Sequence, residues 1–402
     1  MADAALTDKA GRPRRTAQLV YTFGFRPFFL LAGLFASLGL LAWVGQWFGH
    51  VTIPAAVSPL IWHGHEMIFG YALAVIAGFL LTASANWLAT KPFAGIGLFL
   101  LTLLWLAGRV AYWSAAELPV WLVASLDLGF IAALFAVLAP PLIRGRAKRQ
   151  LPLLGLLGLL FLANLLTYLE PLGFPVDPRI GLILGVDLVA MLIGIMGGRI
   201  IPSFTGNALR ARGIQAAPRL RPWLERLAAP SLALFVASDV WLEGTAVAGA
   251  IALLAAGLHA LRLSGWQTRH TLNQPILWIL HVGYGWLVLA LALRGLADLS
   301  PVISTTAALH ALTAGTIGVM TLGVMSRVAL GHTGRALIVS RWTVAAYGLV
   351  NLAALIRVFV PLLLPDLHST AIAASGLLWS GAFLLFSLVY WPILTGPRVT
   401  GT

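Results

Sequence analysis

The chain is a succession of long apolar stretches separated by short polar breaks. Each stretch is about 20 residues long, the length of a helix that crosses a bilayer, and none shows the alternating polarity of a barrel strand. The pattern predicts an all-α polytopic membrane protein. Its twelve predicted transmembrane helices are Gly24–Phe48, Ser58–Trp87, Phe93–Trp113, Val120–Ile143, Leu151–Leu169, Ile180–Phe204, Leu227–Leu242, Gly244–Leu263, Pro275–Leu296, Val302–Leu330, Trp342–Leu364 and Thr370–Trp391.

The breaks between these stretches predict five segments. They are a basic arm at 1–23, helices 1 to 6 at 24–206, an Arg- and Pro-rich linker at 207–226, helices 7 to 12 at 227–394 and a tail at 395–402. A second periodicity is weaker. "GIMGGRIIPSFTGNAL" from Gly194 aligns with "GVMSRVALGHTGRAL" from Gly323, and helix 2 ends similarly in "GFLLTASANW" from Gly78. These similar helix ends are compatible with three repeats of four helices, although Gly-rich helix ends also match easily by chance.

Composition and charge fix the surroundings and the orientation. Of 402 residues, 60% are hydrophobic and 10% charged, which predicts that the surface of the protein lies in a lipid bilayer. The predicted cytoplasmic segments hold the basic runs Lys9–Arg15, Arg144–Arg149 and Arg210–Arg226. The predicted outer side has only Arg109, Arg179, Arg294 and Arg357. This asymmetry places both termini inside and explains the net charge of +13 without nucleic acid.

The chain contains no cysteine, which limits the metal chemistry open to it. Disulfides, thiolate ligands, iron–sulfur clusters and covalently attached haem are excluded. Any bound metal must be held by histidine, methionine, carboxylate or tyrosine.

Ionisable groups inside membrane helices are rare and are functional by default. Of nine histidines, His50, His270 and His368 lie in predicted loops, and His259 lies near the inner end of helix 8, where it can reach the interface. The other five form the candidate set of metal ligands: His63, His65, His281, His310 and His332. Several imidazoles without thiolate suit haem iron or copper.

Helix geometry limits how these histidines cooperate. Residues two apart on a regular helix point about 200° from each other, so His63 and His65 share a metal only where the helix is irregular. Otherwise they serve different centres. Glu66 lies on the face of His63 and is placed to accept its second N–H. His310 comes at a similar depth, which makes an outer cluster of the three histidines plausible. His281 comes out somewhat deeper, and His332 belongs to the cytoplasmic side.

The remaining charged groups have structural and functional interpretations. Asp187 and Asp127 lie within spans, where either can pair with an arginine, accept a hydroxyl donor or relay protons. Arg199 and Arg327 end inward-running helices, where they reach the inner headgroups or bind haem propionates.

Five long motifs resemble the NnrS family of twelve-helix bacterial membrane proteins, which are associated with denitrification and nitric oxide responses. They are "FGFRPFFLLAGLFA" at Phe23, "WHGHEMIFGYALAVIAGFLLTASANW" at Trp62, "GRIIPSFTGNAL" at Gly198, "PILWILHVGYGW" at Pro275 and "HALTAGTIGVMTLGVMSRVALGHTGR" at His310. The resemblance implies haem b and copper, a role in tolerance of nitrosative stress, and a place in the bacterial inner membrane. It carries His63, His65, Glu66, His281, His310 and His332 over as the functional polar set.

Three functions are compatible with these residues. The first is an oxidoreductase that reduces NO with electrons from quinol or a small redox protein, with protons from Glu66 or Asp187. The second is a non-catalytic haem sensor or buffer of NO. The third is a transporter with a histidine and aspartate proton path, since twelve helices in two halves are a common carrier plan.

Overall fold

A computed structural model of the protein describes residues 16–145 and 149–399. Residues 1–15 of the predicted arm, 146–148 of the basic run and 400–402 of the tail lie outside the described residues. The described part is helical and contains no strand, which confirms the predicted all-α fold.

Twelve long helices follow one another and match the twelve predicted spans. We label them α1 (Phe25–Trp47), α2 (Pro59–Leu88), α3 (Ile96–Trp113), α4 (Val120–Arg144), α5 (Leu151–Leu169), α6 (Pro178–Ala211), α7 (Pro222–Trp241), α8 (Ala246–Ser264), α9 (Pro275–Leu299), α10 (Thr305–His332), α11 (Arg341–Leu363) and α12 (His368–Thr395). Helix α6 runs past the predicted end at Phe204, so the start of the predicted linker is helical.

Eleven of the twelve are long and apolar enough to cross a membrane, and α7 is the exception. It carries Glu225, Arg226 and Asp239 within 20 residues. Its acidic groups pair with neighbouring helices, Glu225 with Arg262 of α8 and Asp239 with Arg294 of α9. Pairing of this kind lets a helix with low hydropathy pack inside a membrane protein.

Short polar signals set the helix ends. Serine caps the first turn of three helices, with the hydroxyls of Ser58, Ser304 and Ser340 accepting backbone N–H groups of α2, α10 and α11. The tight turn between α7 and α8 uses Gly244 at φ +76°, a left-handed conformation that suits glycine.

The chain groups into two compact units. Unit 1 consists of Met1–Gly185, Met325–Leu337 and Phe383–Thr402, and unit 2 of Val186–Val324 and Ile338–Ala382. Within unit 1, α1 packs on α2, α3 on α4, and α4 on α5. Within unit 2, α7 packs on α8, α8 on α9, α9 on α10, and α10 on α11. Neighbours in sequence are therefore neighbours in space, as short loops require.

Candidate functional site

Helix α2 changes its winding directly after the "HGH" motif. It is α-helical over Pro59–His65, π-helical over Glu66–Ala72, and α-helical again to Leu88. A π-helical segment is rare, redirects the side chains that it carries and leaves backbone groups to be satisfied from outside. Here the Gly70 carbonyl accepts the indole N–H of Trp105 at 3.1 Å.

Glu66 opens the π-helical segment, and its side chain is fully buried. One carboxylate oxygen accepts from Arg109 and from His65 Nδ1, the latter at 3.2 Å. The other oxygen accepts the indole N–H of Trp113 at 2.6 Å. Three donors thus saturate this carboxylate. The sequence predicted that Glu66 pairs with His63, whereas in the structure it pairs with His65.

Arg109 joins this group to a second buried carboxylate, Asp127 of α4. Asp127 Oδ2 also accepts from Asn164 Nδ2 at 2.7 Å and from the Tyr168 hydroxyl at 2.9 Å. The sequence prediction that Asp127 pairs with an arginine is thereby met in the structure. Arginine is suited to such a bridge because its planar fork donates to two carboxylates at once.

His65 closes the network from α2. Its Nε2 lies 3.1 Å from Asp127 Oδ2 and 2.9 Å from Asn164 Oδ1, and its ring stacks on Tyr112 with centroids 3.7 Å apart. Both ring nitrogens lie within hydrogen-bond distance of acceptor oxygens, so His65 and Arg109 together contact both carboxylates, Glu66 and Asp127. We call these residues and Asn164 the balanced cluster.

His63 has different surroundings from His65 although only Gly64 separates them. Its half-buried ring stacks on Trp43 of α1, with centroids 4.5 Å apart and ring planes 14° apart. The helix is regular at this point, so the two rings diverge, as helix geometry predicts. The two side chains therefore have different neighbours. The described residues hold no metal-binding group of three His, Cys, Asp or Glu, and the outer cluster of His63, His65 and His310 stays a prediction.

Two histidines of unit 2 are buried with both ring nitrogens hydrogen-bonded. His281 contacts the Thr205 hydroxyl through Nε2 and the Thr268 hydroxyl through Nδ1, each at 2.9 Å. His259 contacts the Tyr284 hydroxyl at 2.6 Å and the Ala228 carbonyl at 3.2 Å. Metal ligation by either ring would cost one of these bonds.

The carboxyls of unit 2 lie around a single guanidinium. Arg294 pairs with Asp239, with Glu243 at 3.3 Å and with Asp298 at 3.4 Å. Asp187 interacts with Asp239, is 2% exposed and has one oxygen, Oδ2, without a hydrogen-bond partner in the described structure. We call these five residues the acidic cluster. Glu243 is exposed to solvent, but the three shielded carboxyls, Asp187, Asp239 and Asp298, still outnumber the single arginine, which favours a proton or a cation as further positive charge.

Helix α10 repeats the design of α2. Ser304 caps its first turn, His310 ends the first α-helical stretch, and a π-helical segment follows at Ala311–Gly318. In the predicted four-helix repeat, α2 and α10 occupy equivalent places. The half-buried His310 ring donates from Nδ1 to the Thr306 carbonyl at 2.8 Å. A histidine held in this way carries its lone pair on Nε2, the arrangement that metal-ligating histidines adopt.

Three candidates lie toward the predicted cytoplasmic side. The half-buried His332 ring is 5.7 Å from the ring of Phe25. Arg199 is exposed near the inner end of α6, and Arg327 is half-buried in α10. Each of the two arginines has other interactions. They stay predictions for propionate binding.

The family resemblance implies haem and copper, and the histidines fit the two unequally. His310 fits a haem ligand through its hydrogen-bonded Nδ1. His65 and His281 fit poorly, because both nitrogens of each ring are already bonded. A copper site of three protein ligands is not assembled among the described residues.

Sequence reasoning missed most members of the two clusters. Arg109 and Arg294 stood out only as outer arginines, and Asn164 passed unnoticed within "FLANLLTYLE". One polar residue in a leucine-rich span was the available signal, because a buried amide needs partners.

The chain was compared with known proteins. A search of curated proteins gave no significant match. The family model described as NnrS protein matches residues 19–398, nearly the whole chain. The protein therefore belongs to the NnrS family and is a multi-pass membrane protein of the nitric oxide response.

Proposed function

We propose that the protein binds nitric oxide at a haem b held by His310, near the outer face of the bacterial inner membrane, and thereby limits nitrosative stress. The observation that carries the proposal is the bond from His310 Nδ1 to the Thr306 carbonyl. This bond fixes the ring orientation and raises the basicity of Nε2. Haem iron supplies the NO-binding centre when bound.

The contrast among the histidines supports His310 over the other candidates. His65 and His281 are buried and doubly hydrogen-bonded, whereas His310 is half-buried beside a π-helical segment. His63 and His332 are also half-buried and are the residues that we propose for copper. Neither histidine belongs to a group of three metal-binding side chains among the described residues. The proposal therefore rests on haem and not on copper.

Reduction of NO is the second candidate function, and the acidic cluster favours it. Two NO, two electrons and two protons give one N2O and one water, so a reductase needs a proton source close to its centre. Asp187 and Asp239 are buried carboxyls with too little positive charge around them to be fully ionised. They are better placed as a proton reserve than Glu66, whose two oxygens already accept from three donors. The electrons would come from quinol or a small redox protein.

The test is an absorption spectrum of the purified protein, reduced minus oxidised, before and after addition of NO, together with metal analysis. We expect a haem b signal that shifts with NO in the wild type. His310→Ala should lose it, and His50→Ala, a change in an exposed outer loop, should retain it. A colourless wild type, despite ample haem during expression, contradicts the proposal and favours the transporter interpretation.

Turnover separates the two candidate functions. With an electron donor present, consumption of NO and release of N2O by the wild type would establish reduction. A spectral shift without N2O would leave binding as the function. Asp187→Asn should then change neither haem content nor the NO shift, but it should slow any N2O release.

A further inference from the structure

We infer that Arg357 of α11 binds a carboxylate of the haem held by His310, an inference that rests on the proposed haem function. Arg357 takes no part in either cluster described above. It lies in the membrane-spanning part of unit 2.

Arg357 lies on the packed face of α11 and lacks a counter-charge. It follows Ala353 and Ala354 by four and three residues, and both alanines are at most 1% exposed. Its Nη1 is shielded and has no hydrogen-bond partner among the described residues. No acidic side chain of the described chain acts on it. A guanidinium in a membrane interior without an anion is costly, so we expect an anion to bind beside Arg357.

Arg357 is half-buried, and the fully buried arginines of the described chain show what its site lacks. Arg109 holds Glu66 and Asp127, Arg262 holds Glu225, and Arg294 holds Asp239. Even Arg26, which has no carboxylate, donates to the carbonyls of Leu394 and Gly396 at 2.7 Å. Single nitrogens of Arg26, Arg109 and Arg294 also lack a hydrogen-bond partner among the described residues, but each of these guanidiniums contacts an anion or carbonyl oxygens. Arg357 has no such contact within the described residues.

Arg357 and His310 lie near the same ends of neighbouring helices. Helices α10 and α11 pack against each other in unit 2 and run in opposite directions, so the start of α10 and the end of α11 share one side. His310 is five residues from Thr305, and Arg357 is six from Leu363. At about 3.6 residues per turn, both residues therefore lie within two turns of these helix ends.

A carboxylate is the anion that fits this placement. Arginine binds carboxylate and phosphate through paired N–H bonds, so the competing source is a lipid headgroup phosphate. An arginine that serves lipid extends its guanidinium to the interface, where its nitrogens are wet. Arg357 Nη1 is instead shielded, which favours an anion inside the protein. Haem carries two carboxylates and, on His310, would sit near these helix ends.

The experiment measures haem dissociation from the purified full-length protein with natural haem and with haem dimethyl ester, whose carboxylates are blocked. For Arg357→Gln we expect roughly 10- to 100-fold faster loss of natural haem, the range for a hydrogen bond to a charged group. The dimethyl ester should dissociate from the wild type faster than natural haem does, by the same factor of roughly 10 to 100. Its dissociation rate should not increase further in Arg357→Gln. Arg357→Lys should recover part of the effect, and Arg179→Gln, at an exposed outer arginine, should match the wild type.

Each result decides between sources and between proposals. A merely structural arginine would make haem-free Arg357→Gln less stable, whereas removal of an unpaired charge leaves it at least as stable. Equal haem loss from the variant and the wild type overturns the Arg357 inference alone. If the variant loses thermal stabilisation by phosphatidylglycerol but keeps haem, the anion is a lipid phosphate and the inference is wrong. A wild type that takes up no haem removes the proposed function and this inference together.

Discussion

The balanced cluster of unit 1 and the acidic cluster of unit 2 both combine arginine with buried carboxyls, but they differ in how completely these carboxyls are hydrogen-bonded. In the first, His65 and Arg109 face Glu66 and Asp127, and all four carboxylate oxygens have hydrogen-bond donors, although Arg109 Nε has no partner among the described residues. In the second, Arg294 serves several carboxyls, and Asp187 Oδ2 has no hydrogen-bond partner in the described structure. Saturated buried charges hold helices together, whereas unsatisfied ones mark places where a proton, an ion or a ligand acts.

This contrast also separates the histidines that sequence alone treats alike. His65 lies in the most prominent motif, yet both of its ring nitrogens are occupied by hydrogen-bond partners. His310 has a plainer sequence context, and its Nδ1 donates to the Thr306 carbonyl. His65 and Glu66 of the "HGHE" motif therefore hold α2 to its neighbours in unit 1, and the haem ligand that we propose is on α10.

The largest effect is expected where the balanced cluster loses its shared cation. Arg109→Leu leaves two carboxylates buried without their bridge, which should cost about 5 kcal/mol and abolish most folded protein. Thermal unfolding in detergent, followed by size-exclusion chromatography, measures this. Arg179→Leu, at an exposed arginine of the same predicted side, is the matched control and should change little. Near-normal stability of Arg109→Leu would mean that the network does not hold unit 1 together.

The same substitution in the two clusters should give opposite results. Asp127→Asn breaks a saturated pair and should cost about 3 kcal/mol. Asp187→Asn removes a charge that the structure does not balance, so the free energy of unfolding should stay within about 1 kcal/mol of the wild type or rise. Parallel thermal unfolding of the haem-free proteins provides the comparison. Equal losses in both variants would show that the two clusters do not differ in kind.

The sequence predicted the helices well because the hydrocarbon core imposes one length on every span. It predicted single polar residues less well, since their roles depend on helices far away in sequence. Pairing with an arginine was one of three roles left open for Asp127, and only the fold shows that the arginine is Arg109 and that Asn164 joins them. The π-helical segments have no sequence signal of the kind that caps or turns give. They arise where tertiary packing favours a local change of winding.

The two π-helical segments offer the finest test of the comparison, because each contains a glycine pressed against an aromatic ring. A Cβ on Gly70 would come within 2.6 Å of Phe35 and 3.2 Å of Arg109, beside the balanced cluster. A Cβ on Gly315 would come within 2.4 Å of Trp286, five residues after His310. Such overpacking costs about 2 kcal/mol.

We therefore expect Gly70→Ala and Gly315→Ala to lose similar stability but to differ in function. Gly70→Ala should destabilise the protein while the folded fraction keeps its haem, because it strains a structural network. Gly315→Ala should also speed haem loss, because it moves the segment that follows His310. Gly348→Ala in α11, where a Cβ meets nothing within 4 Å, is the control and should gain up to about 1 kcal/mol. Faster haem loss in Gly70→Ala than in Gly315→Ala would reverse the assignment and return the ligand site to α2.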